Sequence, residues 1–115
     1  MGSIVDLMQP EFVSTGEGRA VLRFRPRDEW KIPSGVVQGG ITTVMLDMAM
    51  AVAGGGISTA SIQVDILRPV VGDVLTATGT ITRAGKRIVF AEATLTNEEG
   101  TLLARGVQTA VPPAG

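Results

Sequence analysis

Gly35-Val36-Val37-Gln38-Gly39-Gly40-Ile41-Thr42-Thr43-Val44-Met45-Leu46-Asp47-Met48-Ala49-Met50-Ala51-Val52-Ala53 is the stretch on which the fold turns. A double glycine opens an apolar run, and one carboxylate, Asp47, sits inside it. The run predicts a helix from about Gly40 to Ala53, stopped by Gly54-Gly55-Gly56. It is apolar on every side, so the helix is expected to be buried all round. Burying an unpaired carboxylate costs on the order of several kcal/mol. A charge kept in such a place points to a use for it. The plainer alternative is an Asp satisfied by Thr or backbone groups, or one turned to a wet subunit interface.

Working outward, Arg19-Ala20-Val21-Leu22-Arg23-Phe24-Arg25-Pro26 alternates well enough for a first strand ended by Pro. The segment from Arg27 to Gly35 is an irregular loop, marked by Pro33 and Gly35. Beyond the helix the period changes to two. Thr59, Ser61, Gln63 and Asp65 alternate with Ala60, Ile62, Val64 and Ile66, giving a half-buried strand closed near Pro69. Thr76, Thr78, Thr80 and Thr82 alternate with Leu75, Ala77, Gly79 and Ile81 in the next. Ala84-Gly85-Lys86 reads as a hairpin turn. Strands follow from about Arg87 to Thr96 and from about Thr101 to Val111, separated by Asn97-Glu98-Glu99-Gly100. The tail Pro112-Pro113-Ala114-Gly115 is expected to be loose. The order is thus one strand, one helix and a four-strand antiparallel meander, in a single α+β domain over residues 1–115. A helix apolar all round needs a sheet curled about it. The Thr/Ser/Gln face of that sheet is then either solvated or packed on another subunit, and a homo-oligomer is expected.

Composition excludes much chemistry. The 115 residues contain no Cys and no His. Disulfides, thiolate nucleophiles, Ser-His-Asp triads and His- or Cys-ligated zinc are therefore out. Acid–base work falls to a carboxylate, a Lys or a positioned water. A net charge of −1 and only three Phe and one Trp give no sign of a nucleic-acid partner. No apolar run is long enough to span a bilayer, so no membrane partner is expected. Met1-Gly2-Ser3-Ile4-Val5-Asp6 does not read as a signal peptide, and Asp6 breaks the myristoylation pattern. A cytoplasmic protein with no cofactor and no metal is the expectation.

Taken together, these elements resemble the hotdog-fold acyl-CoA thioesterases of the phenylacetate-degradation type. The resemblance runs from roughly Gly18 to Pro112. It is carried by Gly35-Val36-Val37-Gln38-Gly39-Gly40 with Asp47 downstream, by Ile66-Leu67-Arg68-Pro69, and by Gly72-Asp73. Gly85-Lys86-Arg87, Ala91-Glu92-Ala93, Glu99-Gly100 and Leu102-Leu103-Ala104 complete it. No single element is specific; their order and spacing are. The family implies a five-stranded antiparallel sheet wrapped around one long buried helix. It also implies acyl-CoA thioester hydrolysis at an interface between subunits of a dimer or tetramer.

By this resemblance Asp47 is the general base or nucleophile, and the N–H of Gly39 or Gly40 holds the thioester oxygen. A helix N-terminus suits that task, because its first N–H groups are unpaired and carry partial positive charge. Gly40 and Asp47 lie two turns apart on one face. Thr59 aligns with a Ser/Thr that orients the attacking water from the partner subunit. Arg68, Arg83, Lys86 and Arg87 are candidates for the CoA phosphates, although the last three also read as a solvated hairpin. Two positions depart from the family. Gln38 stands where it has His, and Ile32 where a polarising Asn or Gln is common. Gln38 can itself donate an amide N–H. The alternative function is a non-catalytic acyl-CoA or small-ligand binding protein that has lost the polarising residues.

Overall fold

The computed structural model describes residues 2–113. Met1, Ala114 and Gly115, and with them the last part of the expected loose tail, lie outside the described residues. The chain opens with a short helix, α1 (Ile4–Met8), capped by Ser3, whose hydroxyl accepts from the Asp6 N–H. Strands β1 (Glu11–Gly16) and β2 (Arg19–Phe24) follow, then one 3-10 turn at Asp28–Trp30. The long helix α2 spans Gly39–Ala53. Four strands complete the chain: β3 (Ser58–Ile66), β4 (Leu75–Ala84), β5 (Val89–Thr96) and β6 (Leu102–Val111).

The sheet has six strands, in the order β1-β2-β4-β5-β6-β3, and every pair is antiparallel. Two expectations are corrected here. The sheet is one strand larger than the five anticipated, because Glu11–Gly16 forms a hairpin with β2 that its weak alternation hid. The four strands after the helix are also not one meander. Only β4, β5 and β6 follow each other in space, while β3 crosses to the far side of β6. The chain makes that crossing along residues 67–74, where Val70 accepts a hydrogen bond from the Val37 N–H at 2.9 Å. The strand thus leaves the meander and ends as an edge.

α2 lies across the inner face of the sheet. Thr42, Met45, Leu46, Ala49, Met50 and Ala53 are buried against it. Below the helix the sheet presents small residues: Ala20 on β2, Ala77 and Gly79 on β4, and Ala91 and Ala93 on β5. Small side chains let the two backbones approach. At Gly79 the approach is closest: a Cβ there would collide with the backbone carbonyl of Ala49. Leu22, Phe24, Trp30, Leu75 and Leu95 fill the space on either side.

The expectation of a helix buried all round is corrected as well. Gly40 is exposed, and Val44, Asp47, Met48 and Ala51 are only half-buried. The described residues cover that side only in part. A helix apolar on both faces, with one face covered, leaves an apolar surface that a second copy can bury.

Gly79→Ala is expected to lower stability by about 1–3 kcal/mol, because the new methyl meets backbone that cannot rotate away. Urea denaturation followed by circular dichroism measures this as a lower midpoint at unchanged slope.

Candidate functional site

The start of α2 is held in place by its approach segment. Trp30 is buried, and its carbonyl accepts from the Gln38 N–H at 2.8 Å. Gln38 is the N-cap residue, with extended backbone. Its side-chain Oε1 accepts from the Ile41 N–H at 3.1 Å. The amide folds over the helix mouth, so that a Cβ on Gly40 would lie 2.8 Å from Oε1. Glycine at position 40 therefore keeps the cap possible. With Oε1 engaged, the Gln38 Nε2 has no acceptor among the described residues and keeps its two N–H donors. The Gly39 and Gly40 N–H groups have no acceptor among the described residues. They form an electropositive helix end with room above it. Among the described residues two buried polar side-chain atoms lack a partner: Thr42 Oγ1, in the first turn of α2, and Nε1 of Trp30, whose carbonyl holds Gln38.

Two turns further along the same face stands Asp47. Its Oδ1 accepts the Thr59 hydroxyl at 2.6 Å and the Gln108 Nε2–H at 2.7 Å. Its Oδ2 has no hydrogen bond among the described residues and is not sealed from solvent. The carboxylate is thus half satisfied: one oxygen is anchored and the other is free.

Thr59 reaches Asp47 because β3 is irregular. In an unbroken strand Thr59 would share a face with Ser61, Gln63 and Asp65. The pairing with β6 shifts between Thr59 and Ser61, however: Thr59 lies opposite Ala110, and Ser61 lies opposite Thr109. Ala60 is the extra residue of a bulge, and the bulge turns Thr59 to the inner face. Ser61, Gln63 and Asp65 remain on the outer face, where Ser61 and Thr109 share a hydrogen bond of 2.7 Å. The expectation of one continuous polar face is therefore corrected at Thr59. Its hydroxyl meets the Asp47 of its own chain.

The remaining candidates are spread apart. Arg68 follows β3 near the start of α2, since Ile66 packs beside Gly39 and Val70 bonds to Val37. Arg83, Lys86 and Arg87 sit on the β4–β5 hairpin, beside Gly54 and Ile57 at the other end of the helix. One chain does not bring these four cations together. Ile32 is exposed in the approach loop and offers no polar group to the site. Gln108, which sequence reasoning passed over, is 3% exposed and central to the site. The signal available for it was a lone amide among Ala104, Gly106 and Ala110 on the inner face of β6. An open groove of about 430 Å³ lies between Ser61, Gln63, Phe90, Glu92 and Val107, with Gln108 in its lining. Among the described residues there is no cluster suited to a metal ion, and no helix is long and apolar enough to cross a membrane.

The family model described as Thioesterase superfamily matches residues 34–104, which include Gln38, Gly39, Gly40, Asp47 and Thr59. The chain belongs to the thioesterase superfamily. Solved structures with the same hotdog fold include the E. coli PaaI protein from the phenylacetic acid degradation operon. The two are 22% identical, with a TM-score of 0.91 over 97% of this chain and 85% of that one. A conserved protein of Pseudomonas aeruginosa is also 22% identical, with a TM-score of 0.88 over 96% and 94%. A thioesterase of Haemophilus influenzae is 22% identical, with a TM-score of 0.86 over 95% and 81%. No curated protein matches the chain.

Removing the cap by Gln38→Ala is expected to cost about 0.5–1 kcal/mol of helix stability, since the Ile41 N–H loses its acceptor. Thermal unfolding of the variant beside the wild type measures it as a fall of a few degrees.

Proposed function

We propose that this superfamily member is a homo-oligomeric acyl-CoA thioesterase whose active site is the face of α2 that its own sheet leaves open. One observation carries the proposal. A free carboxylate oxygen on Asp47 and two free N–H groups on Gly39 and Gly40 share one face of one helix. Within one chain the two lie about 10 Å apart along the helix. Two-fold pairing of β3 with its copy brings the partner's Asp47 to this chain's helix mouth, because Thr59, bonded to Asp47, stands at one end of β3 and Ile66, beside Gly39, at the other.

In this mechanism the thioester carbonyl oxygen lies on the Gly39 and Gly40 amides. The outward N–H of Gln38 adds a third donor in place of the imidazole common in the family. The partner subunit's Asp47 takes a proton through Oδ2 from a water molecule as the water oxygen attacks the carbonyl carbon. The tetrahedral oxyanion collapses, the C–S bond breaks, and the proton passes from Asp47 to the departing sulfur. The products are a carboxylic acid and the CoA thiol. Direct attack by Oδ2, through a mixed anhydride that water then opens, uses the same free oxygen. Neither route calls for a cofactor.

The second subunit enters through β3. This strand is nine residues long, lies at the sheet edge and carries no Pro or Lys to block pairing. Antiparallel pairing of β3 with its copy extends the sheet across a two-fold axis. It sets the partner's β4–β5 hairpin at the end of the sheet where this chain's α2 begins. Arg68 and the partner's Arg83, Lys86 and Arg87 then flank one helix mouth, which suits the CoA phosphates. A second reading, a non-catalytic acyl-CoA binding protein, is favoured by Ile32, which removes a polar group from the approach loop.

Thiol release from a panel of short, long and aromatic acyl-CoA substrates tests the proposal. Asp47→Asn is expected to lower kcat by about 10²–10⁴-fold, with folding and oligomer size retained. No turnover by the wild type, with CoA still bound, marks the binding protein instead. In that case Gln38→His creating activity would show that the polarising donor is what the chain lacks.

A further inference from the structure

Gln108 does not take part in the chemistry above, yet it is one of only two buried polar residues among the described ones; Thr42 is the other. Its neighbours on the inner face of β6, Ala104, Gly106 and Ala110, are small and apolar. Nothing in the packing calls for an amide there, and burying one without partners is unfavourable. Its partners are specific. Nε2–H donates to Asp47 Oδ1 at 2.7 Å, and Oε1 faces the Thr59 hydroxyl at 3.3 Å.

A carboxylate only accepts, so the amide must present its NH₂ edge to Asp47. That orientation leaves Oε1 for Thr59. The Thr59 hydroxyl has one hydrogen, and the shorter contact of 2.6 Å assigns it to Asp47 Oδ1. Both donors therefore converge on the same oxygen. The two donors differ in rigidity. Thr59 lies on an edge strand beside a bulge. β6 is paired on both sides, to β5 and to β3, so Gln108 stands on backbone that cannot shift.

We propose that Gln108 is a positioning residue: its amide pins Asp47 Oδ1 and so directs the free Oδ2 toward the substrate side of α2. The proposal rests on the thioester-hydrolysis reading. A carboxylate with two free oxygens rotates about its last bond and spends part of its time misdirected. Anchoring one oxygen to a rigid strand removes that freedom before substrate arrives. The Thr59 hydroxyl can also turn to Gln108 Oε1 when Asp47 holds a proton, because the amide keeps a second acceptor within reach.

The experiment compares wild type, Asp47→Asn, Gln108→Met and the double variant Asp47→Asn/Gln108→Met in steady-state hydrolysis of one turned-over acyl-CoA. Oligomer size and melting temperature are recorded alongside. Methionine keeps the length of the side chain and removes the donor. The expected result is a fall in kcat of about 10- to 100-fold for Gln108→Met, with KM within twofold. In the Asp47→Asn background the same change is expected to leave the residual rate unaltered, since it acts only through the carboxylate. A loss in KM alone, or an equal loss in both backgrounds, assigns Gln108 a packing role and overturns the proposal. If Gln108→Met does not fold, Gln108→Leu, which also lacks a donor, is read in its place, and wild-type kcat there overturns the proposal. If Asp47→Asn is as active as wild type, or wild type turns over nothing, the hydrolysis reading itself fails and this proposal falls with it.

Discussion

The Asp47 carboxylate, set in a largely apolar helix, imposes conditions on two strands at once. A charge at that depth needs donors, and α2 has no spare ones mid-helix. The donors come from β3 and β6, at the edge of the sheet, where Thr59 and Gln108 converge on one oxygen. For Thr59 to do so, β3 must bulge at Ala60 and change the face its first residues present. For β3 to lie there at all, it must leave the sequential order of the meander and pair with β6. The crossover, the bulge and the buried amide all serve this one carboxylate.

Helix placement is the second constraint, and it is geometric. α2 sits so close to the sheet that Gly79 has no room for a Cβ under the Ala49 carbonyl. A strip of alanines around Gly79 carries the helix, and the larger core residues flank it. This arrangement fixes the depth of Asp47 and the height of the helix mouth together. It also explains why one side of α2 stays half-exposed: a single six-stranded sheet curls around only one face of it. The same surface that a lone chain leaves open carries Gly40, Val44 and Asp47.

Gln38 shows how a chain without histidine uses the helix mouth. Its Oε1 closes one first-turn donor, and the neighbouring glycines leave theirs open. A neutral amide can cap and donate at once, since it carries an acceptor and two donors on one plane. An imidazole in this place would offer one acceptor and one donor, and its charge would follow pH. On the proposed reading, Gln38 supplies a donor at the site without a group that titrates near neutral pH.

Much was legible in the sequence because it depends on local patterns. The apolar run from Gly40 to Ala53 marked the long helix, and period-two alternation marked β2, β4, β5 and β6 to within a few residues. The glycine pair, Gln38 and Asp47 stood out as candidates along one element. The first eighteen residues hid α1 and β1, because a five-residue helix and an exposed edge strand have little hydrophobic period to read. Strand order stayed hidden because alternation says which face a residue takes, not which strand lies beside it. The bulge at Ala60 inverted the expected face of Thr59, since one extra residue exchanges the two faces of a strand. Gln108 was invisible for a related reason. It lies 61 residues from Asp47, and only the packing of β6 under α2 makes them neighbours. Sequence by itself determined the long helix, five of the six strands and the candidate groups that share that helix. The tertiary structure alone decided which oxygen of Asp47 is free, because that depends on donors brought together from distant strands.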